Sequence, residues 1–279
     1  LKILIPLHVS GIWVPYYASS LLETGSIGVG LNLSLYMEAY TIRGTCKIIF
    51  NNREVFNDLA EIICSETGLN TETKIISPID LGHGYGVSAG ILIAHTLGSY
   101  IIANKPSLKA LQKAHVLEVE NKTGLGDVIA EYTGGLVVRV KPGAPGVGYA
   151  YRVIPREKPH LIVTSLSRQE STPLMLSRMS KEICSLGEKL LEKFIETEDI
   201  SMFFEYSRYF TSRLFSYGQL SDLLSGLRGV IGYYLKKSAL IIWIEEEYIN
   251  DITETLTNRG FKTHYATISH TGVTVEYTS

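Results

Sequence analysis

The most constraining stretch of this chain is Gly82-His83-Gly84-Tyr85-Gly86-Val87-Ser88-Ala89-Gly90, which runs straight into the apolar text ILIAHTLGSYIIAN. Three alternating glycines give a backbone that reaches positive φ at little cost and lets another group come close. The small and apolar residues behind them read as a buried helix. A loop of this kind delivers the chain to the first turn of that helix, where unpaired N–H groups and the positive end of the dipole favour an anion. Ser88, inside that turn, adds a hydroxyl able to reach phosphate or a hydrated metal ion. The stretch reads as a phosphate cradle; a tight turn with close helix packing reads from the same residues. It is not a Walker A loop, since no Lys stands beside the last Gly. Nor is it a dinucleotide fingerprint, whose glycines have another spacing and sit in an early strand–turn–helix unit.

A second glycine cluster follows, Thr123-Gly124-Leu125-Gly126-Asp127, with Gly134-Gly135 closing the next segment. Asp127, flanked by flexible backbone, suits a helix cap, or a general base or charge organiser at the head of an element. Upstream lie His115, Glu118 and Glu120. Glu118 is three residues beyond His115 and shares its helix face. A solvated helix charge and a satisfied half-buried histidine are the plainer readings of that pair. A carboxylate, a hydroxyl and a phosphate cradle together are what ATP-dependent phosphoryl transfer needs. Carboxylates hold Mg²⁺ or orient the attacking hydroxyl.

The rest of the chain bounds the possibilities. With 45% hydrophobic residues over 279 positions it has the apolar content for a large core. Lys and Arg number 26 against 28 Asp and Glu, which argues against a broad basic footprint and a nucleic-acid partner. No apolar run reaches the roughly 18 residues of a bilayer span, and no signal peptide is read. Cys46, Cys64 and Cys184 form no paired framework, so free thiols of a cytoplasmic protein are expected. Strand text fills residues 1–50. A helix is expected over 53–67 behind Asn51 and Asn52 as caps, then a strand at 73–76. Helical text covers 87–103 and 108–118, and LVVRV and HLIVTSL read as strands. Residues 173–225 read mostly as helix, and the end as strand–helix–strand–strand. This is α+β text in two domains, 1–160 and 161–279, with the boundary at PREKPH. The aromatic-rich Met202–Phe215 stretch suits a homodimer surface or a helix packed inside the second domain.

These motifs resemble the GHMP kinases and, within them, the archaeal pantoate kinases. The superfamily's central motif is matched by Pro78, a long spacer, and Gly84-Tyr85-Gly86-Val87-Ser88-Ala89-Gly90, with Val87 where the first Ser usually stands. AHVLEVENKTGLGDVIAEYTGGLVVRVKPGAPGVG matches the pantoate-kinase His-x-x-Glu helix, Thr-Gly-Leu-Gly-Asp-Val, Gly-Gly pair and Pro-Gly-x-Pro-Gly turn. Ser10-Gly11-Ile12-Trp13 and Gly25–Gly30 look like that family's first motif region. Ser225–Gly232 looks like its thinned third motif. The resemblance implies a ribosomal protein S5 domain 2-like N-terminal domain and a ferredoxin-like C-terminal domain. It implies that Asp127 and Ser88 are catalytic, that Gly82, Gly84, Tyr85, Gly86, Val87 and Ser88 hold ATP, and that Glu118 and Ser88 hold Mg²⁺. The implied reaction phosphorylates (R)-pantoate on its primary hydroxyl, in coenzyme A biosynthesis. His8, Ser10, Trp13 and Arg139 are the candidates for the acceptor site, with His83, Arg43 and Lys141 behind them. Another small-molecule kinase of the superfamily, or a binding protein of the same fold, are the alternatives.

Overall fold

The structure, a computed structural model, describes residues 1–167 and 170–277. The elements of the first half are β1 (Lys2–Tyr16), β2 (Gly25–Arg43), β3 (Lys47–Phe50), β4 (Arg53–Glu54), α1 (Asn57–Thr67), β5 (Thr71–Ile76), α2 (Val87–Ile102), α3 (Ser107–Glu120), α4 (Asp127–Thr133), β6 (Leu136–Lys141) and β7 (Tyr149–Val153). Then come β8 (His160–Ser165), α5 (Thr172–Leu176), α6 (Lys181–Thr197), α7 (Ile200–Thr211), α8 (Gln219–Ser225), β9 (Val230–Lys236), β10 (Ala239–Ile244), α9 (Ile249–Asn258), β11 (Thr263–Ala266) and β12 (Thr274–Glu276).

The first sheet runs β12-β1-β2-β5-β3-β4, with β6 and β7 branching from β2. β2 is long enough to serve two partners in turn: Gly28–Leu31 pair with β6, and Glu38–Arg43 pair with β5. The fork opens the sheet where β1 carries register shifts on either side of His8–Ser10. Such irregularities re-aim side chains and gather at functional sites. β1 is buried almost continuously from Ile5 to Val14, as a strand is when both faces are covered. Helices α2, α4, α6 and α7 all pack on it. In α2 thirteen of sixteen residues are buried, which explains why its text is apolar on every side rather than striped.

The second sheet is antiparallel, in the order β11-β8-β10-β9. Its central strand β10 is buried throughout. Phe203 and Phe204 of α7 stack edge-on against Tyr234 of β9, and Phe210 meets the Trp13 ring of β1 edge-to-face at 5.1 Å. α7 is therefore the wedge that joins the sheets, and its aromatic residues Phe203, Phe204 and Phe210 are buried within the chain. β12 returns from the far end of the sequence to pair with β1, Ile3 opposite Val275.

Two expectations need correction. Helix α1 starts at Asn57, not residue 53, because Asn51 and Asn52 take positive φ in the turn between β3 and β4. The cysteines are not all free: Cys46 and Cys64 are disulfide-bonded with Cα atoms 6.3 Å apart, and Cys184 alone is a thiol. Sequence spacing hid the pair because the bridge ties the segment before β3 to α1 across 18 residues.

Candidate active site

A cavity of about 340 Å³ opens where the two sheets meet. One wall is the Gly82–Ser88 loop, another is the Asn121–Asp127 segment, and the third is Glu170–Thr172 with Lys236 and Lys237. Gly82, Gly84 and Gly86 all have positive φ, of 86°, 94° and 74°. At Gly84 space is a second requirement, since a Cβ would lie 2.6 Å from the Lys236 carbonyl oxygen. At Gly86, the cap of α2, a Cβ would lie 2.1 Å from Glu131 Oε1. Between them Tyr85 turns inward and donates its hydroxyl hydrogen to the Thr164 carbonyl of β8 at 2.7 Å. Its own carbonyl accepts from His8 N–H at 3.0 Å. The loop is thus pinned to both sheets, and its backbone is left facing the cavity. Val87 is buried, whereas half-buried Ser88 lines the cavity one residue into α2.

Asp127 opens α4, where the helix dipole favours a negative charge. Lys236 Nζ lies 3.6 Å from its Oδ1, and His8 Nε2 lies 3.9 Å away. Burial pushes the carboxyl's pKa up, but neighbouring cations, Lys236 and Arg139 among them, outweigh it and hold Asp127 below the usual carboxylate range. Burial drives His8 well below its ordinary pKa, so it is neutral near pH 7. Lys236 and Arg139 are then the cations facing Asp127. Arg139, only 1% exposed, donates from Nη1 to His8 Nε2 at 3.1 Å and from Nη2 to Ser10 Oγ at 3.2 Å. That contact puts the His8 proton on Nδ1.

Glu118 is fully buried on α3. Among the described residues neither of its oxygens closes a hydrogen bond, although the Val128 N–H lies near enough to favour the ionised form slightly. Burial first, and then the Asp127 charge, push its pKa well up. A Cβ at Gly124 would stand 2.0 Å from Glu118 Oε1, so the glycine of the TGLGD run leaves the carboxylate its room. Glu131 on α4 is equally buried and also lacks partners for its oxygens. Glu118 lies behind the cavity wall rather than on it. An unpartnered buried carboxyl there, with Asp127 and the Ser88 hydroxyl on the wall, offers hard-oxygen chemistry of the kind that suits Mg²⁺. No cluster of three His, Cys, Asp or Glu stands ready for a metal among the described residues. Mg²⁺ sites built from one or two carboxylates plus substrate phosphates do not need one.

The structure gathers most of the sequence candidates. Gly82 to Ser88, Asp127, Ser10, Trp13 and His83 line the cavity. His8 and Arg139 lie beneath it. His115 Nε2 meets the Thr24 carbonyl at 2.8 Å, while Glu120, Arg43 and Lys141 are exposed and off the cavity wall. The glycines at 226–232 do not line it either. What reaches the site from that region is the β9–β10 hairpin with Lys236 and Lys237, which the sequence did not single out. Two lysines between strands read as a solvated turn. Thr172 was missed as well: its hydroxyl donates to the Thr123 carbonyl and accepts from Lys237 Nζ.

The chain resembles known proteins over most of its length. It is 28% identical over 246 residues to the pantoate kinase of Thermococcus kodakarensis, covering 83% of this chain and 82% of that protein. It is 29% identical over 213 residues to the pantoate kinase of Methanocaldococcus jannaschii, covering 74% and 77%. No protein-family model matches the chain. A solved structure described as a phosphotransferase related to the CoA biosynthesis pathway superposes with a TM-score of 0.83 at 24% identity, over 98% of both chains. A mevalonate kinase superposes at 0.71 with 15% identity, over 96% of this chain and 99% of that one. The chain has the mixed α/β fold of GHMP kinase structures, and the motif resemblance to pantoate kinases extends over most of its length.

Proposed function

We propose that this chain is an ATP-dependent kinase that converts (R)-pantoate to (R)-4-phosphopantoate, a step of archaeal coenzyme A biosynthesis, acting in the cytoplasm. One observation carries the reading: the positive-φ loop Gly82–Gly86, Ser88 and Asp127 face one cavity, with Glu118 buried beside Asp127. We read 1–160 as the nucleotide-binding domain, S5-like, and 161–279 as a ferredoxin-like partner domain.

In this reading the Gly84–Ser88 backbone N–H groups and the N-terminus of α2 hold the ATP phosphates. Ser88 and Glu118 would hold Mg²⁺, which would supply positive charge to offset that of the phosphates. Asp127 accepts the hydrogen of the acceptor's primary hydroxyl and aims its oxygen at the γ-phosphorus. The new O–P bond forms as the bond to the β,γ-bridging oxygen breaks; ADP leaves with that electron pair, and the proton passes through Asp127 to solvent. Because such a transition state is loose, orientation and charge stabilisation carry most of the rate enhancement. A carboxylate kept ionised by Lys236 and Arg139 suits that orienting task. Trp13 offers the apolar wall for the gem-dimethyl group. Ser10, backed by Arg139, offers the polar end for the carboxylate.

The test is turnover with ATP over pantoate, mevalonate, homoserine, shikimate and galactose. Pantoate alone is expected to turn over. Phosphorylation of another acceptor with none on pantoate would sink the reading. Asp127→Ala is expected to lower kcat by about 10³-fold or more while leaving nucleotide binding nearly intact; a wild-type rate would remove Asp127 from its role.

A further inference from the structure

We propose that Lys236, carried into the site by the β9–β10 hairpin, is a catalytic residue whose ammonium contacts the phosphoryl group during its transfer to the acceptor held by Asp127. The proposal rests on the kinase reading above and adds a residue to it.

Lys236 lines the cavity yet is only 5% exposed. A buried ammonium ordinarily satisfies its donors with hydrogen bonds, because an unpaired buried charge is costly. Here Nζ stands 3.6 Å from Asp127 Oδ1 and 6.0 Å from the centre of the Trp13 ring. Among the described residues nothing accepts a hydrogen bond from it. Three N–H donors therefore sit beside the catalytic carboxylate, at a distance that a ligand oxygen can share with Asp127.

The hairpin is also fixed relative to the phosphate loop. Gly84 packs on the Lys236 carbonyl so closely that no side chain fits between them. His83 Nδ1 and Ser238 Oγ are 2.8 Å apart. The loop that holds the phosphates and the residue that reaches the transferred group are thereby one rigid piece, although they come from different sheets. The neighbouring lysine is directed elsewhere: Lys237 Nζ donates to Thr172 Oγ1 at 2.7 Å. The two lysines therefore have different tasks.

Chemically, the acceptor oxygen bonds to phosphorus as the bridging P–O bond breaks, and ADP departs with the electron pair. Lys236 neither gives up nor takes a proton in this step. It donates hydrogen bonds to equatorial oxygens of the moving phosphoryl group, a contact strongest when the group lies between ADP and acceptor. That predicts a rate effect rather than a binding effect.

The experiment compares the wild type with Lys236→Met and Lys236→Arg in steady-state turnover, with ADP affinity and far-UV circular dichroism measured on each. For Lys236→Met, kcat should fall by about 100-fold or more while both KM values and ADP affinity stay within a few-fold. Lys236→Arg, which keeps the charge, should recover about tenfold or more of that loss. If Lys236→Met does not fold, Lys236→Gln takes its place. A kcat within about threefold of wild type, or a loss confined to the acceptor KM, overturns the proposal. Wild-type turnover of pantoate tests the underlying reading separately. If another acceptor is the substrate, the variants are measured on that acceptor, and an unchanged kcat there removes Lys236 alone.

Discussion

Replacing Glu118 by methionine should make the protein more stable while abolishing its activity. Glu118 is fully buried and its two carboxyl oxygens close no hydrogen bond among the described residues. A buried polar group left in that state costs about 1–3 kcal/mol. Met matches the side chain in length, has no polar oxygen, and adapts to an irregular pocket. The expected gain is about 1–2 kcal/mol, a rise in Tm of roughly 2–6 °C for a chain of this size. The sign with pH follows from the raised carboxyl. The folded state holds a proton that the unfolded chain releases, so wild-type stability is fullest below the ordinary glutamate value of 4.5 and falls as pH rises above it. The advantage of the Met variant therefore grows from acid toward neutral pH. Thermal melts across that range, with and without Mg²⁺ and ADP, supply the assay. Wild type should gain stability from Mg²⁺ with ADP, and the variant should lose most of that gain. A variant less stable than wild type by more than about 1 kcal/mol at neutral pH would show that the carboxyl is satisfied in the fold. Full stabilisation of the variant by Mg²⁺ with ADP would show that it does not hold the ion.

Gly86→Ala, at φ 74° and with its Cβ 2.1 Å from Glu131 Oε1, should cost at least about 2 kcal/mol and weaken nucleotide binding, read by denaturant titration and ATP titration. Reducing the Cys46–Cys64 bridge, or the double change Cys46→Ser and Cys64→Ser, should cost about 3 kcal/mol through the loop it closes; a denaturation midpoint that ignores reductant refutes this. His95, bonded through Nδ1 to Thr73 Oγ1, is lowered by burial from 6.5 to about 4. The unfolded chain takes up its proton first, so stability should fall between pH 6.5 and 4, by up to roughly 3 kcal/mol, and His95→Gln should flatten that slope in acid titrations of unfolding.

The parts of the site legible in the sequence are those whose chemistry is local. The glycines at 82, 84 and 86 announce a backbone shape, and that shape is formed by the residues themselves. Asp127 could be picked out because a carboxylate straight after Gly124-Leu125-Gly126, at the head of a helix, stands on flexible backbone that suits a site better than a core. Lys236 is the opposite case. Its neighbours spell a charged turn between strands, and nothing local in them shows that the hairpin packs against Gly84 and brings the lysine to the cavity. β12 was legible as the last strand of the strand–helix–strand–strand end, but its pairing with β1 was not, because β1 lies at the other end of the chain. Glu131 was invisible because helix α4 shows nothing in its spacing to distinguish a buried glutamate from a solvated one. Arg139 was found, but its place beneath Ser10, with two nitrogens bonded inward, depends on the register of β6 against β2.

Charge explains why these pieces belong together. Three carboxyl groups lie close together: the Asp127 charge raises both Glu118 and Glu131, and Glu118 raises Glu131 further. Ionising all three in a buried space would be prohibitive. Burial and the Asp127 charge instead raise Glu118 and Glu131 and favour their protonated forms, while Asp127 carries the negative charge against Lys236 and Arg139. On the proposed function, the cleft would meet a triphosphate and an acidic acceptor with an excess of positive charge. In the proposed function Glu118 is the group that would change: holding a divalent cation would require it to give up its proton and stand as a second carboxylate. The same lack of partners that costs the fold stability leaves no hydrogen bond at Glu118 to be broken before such binding.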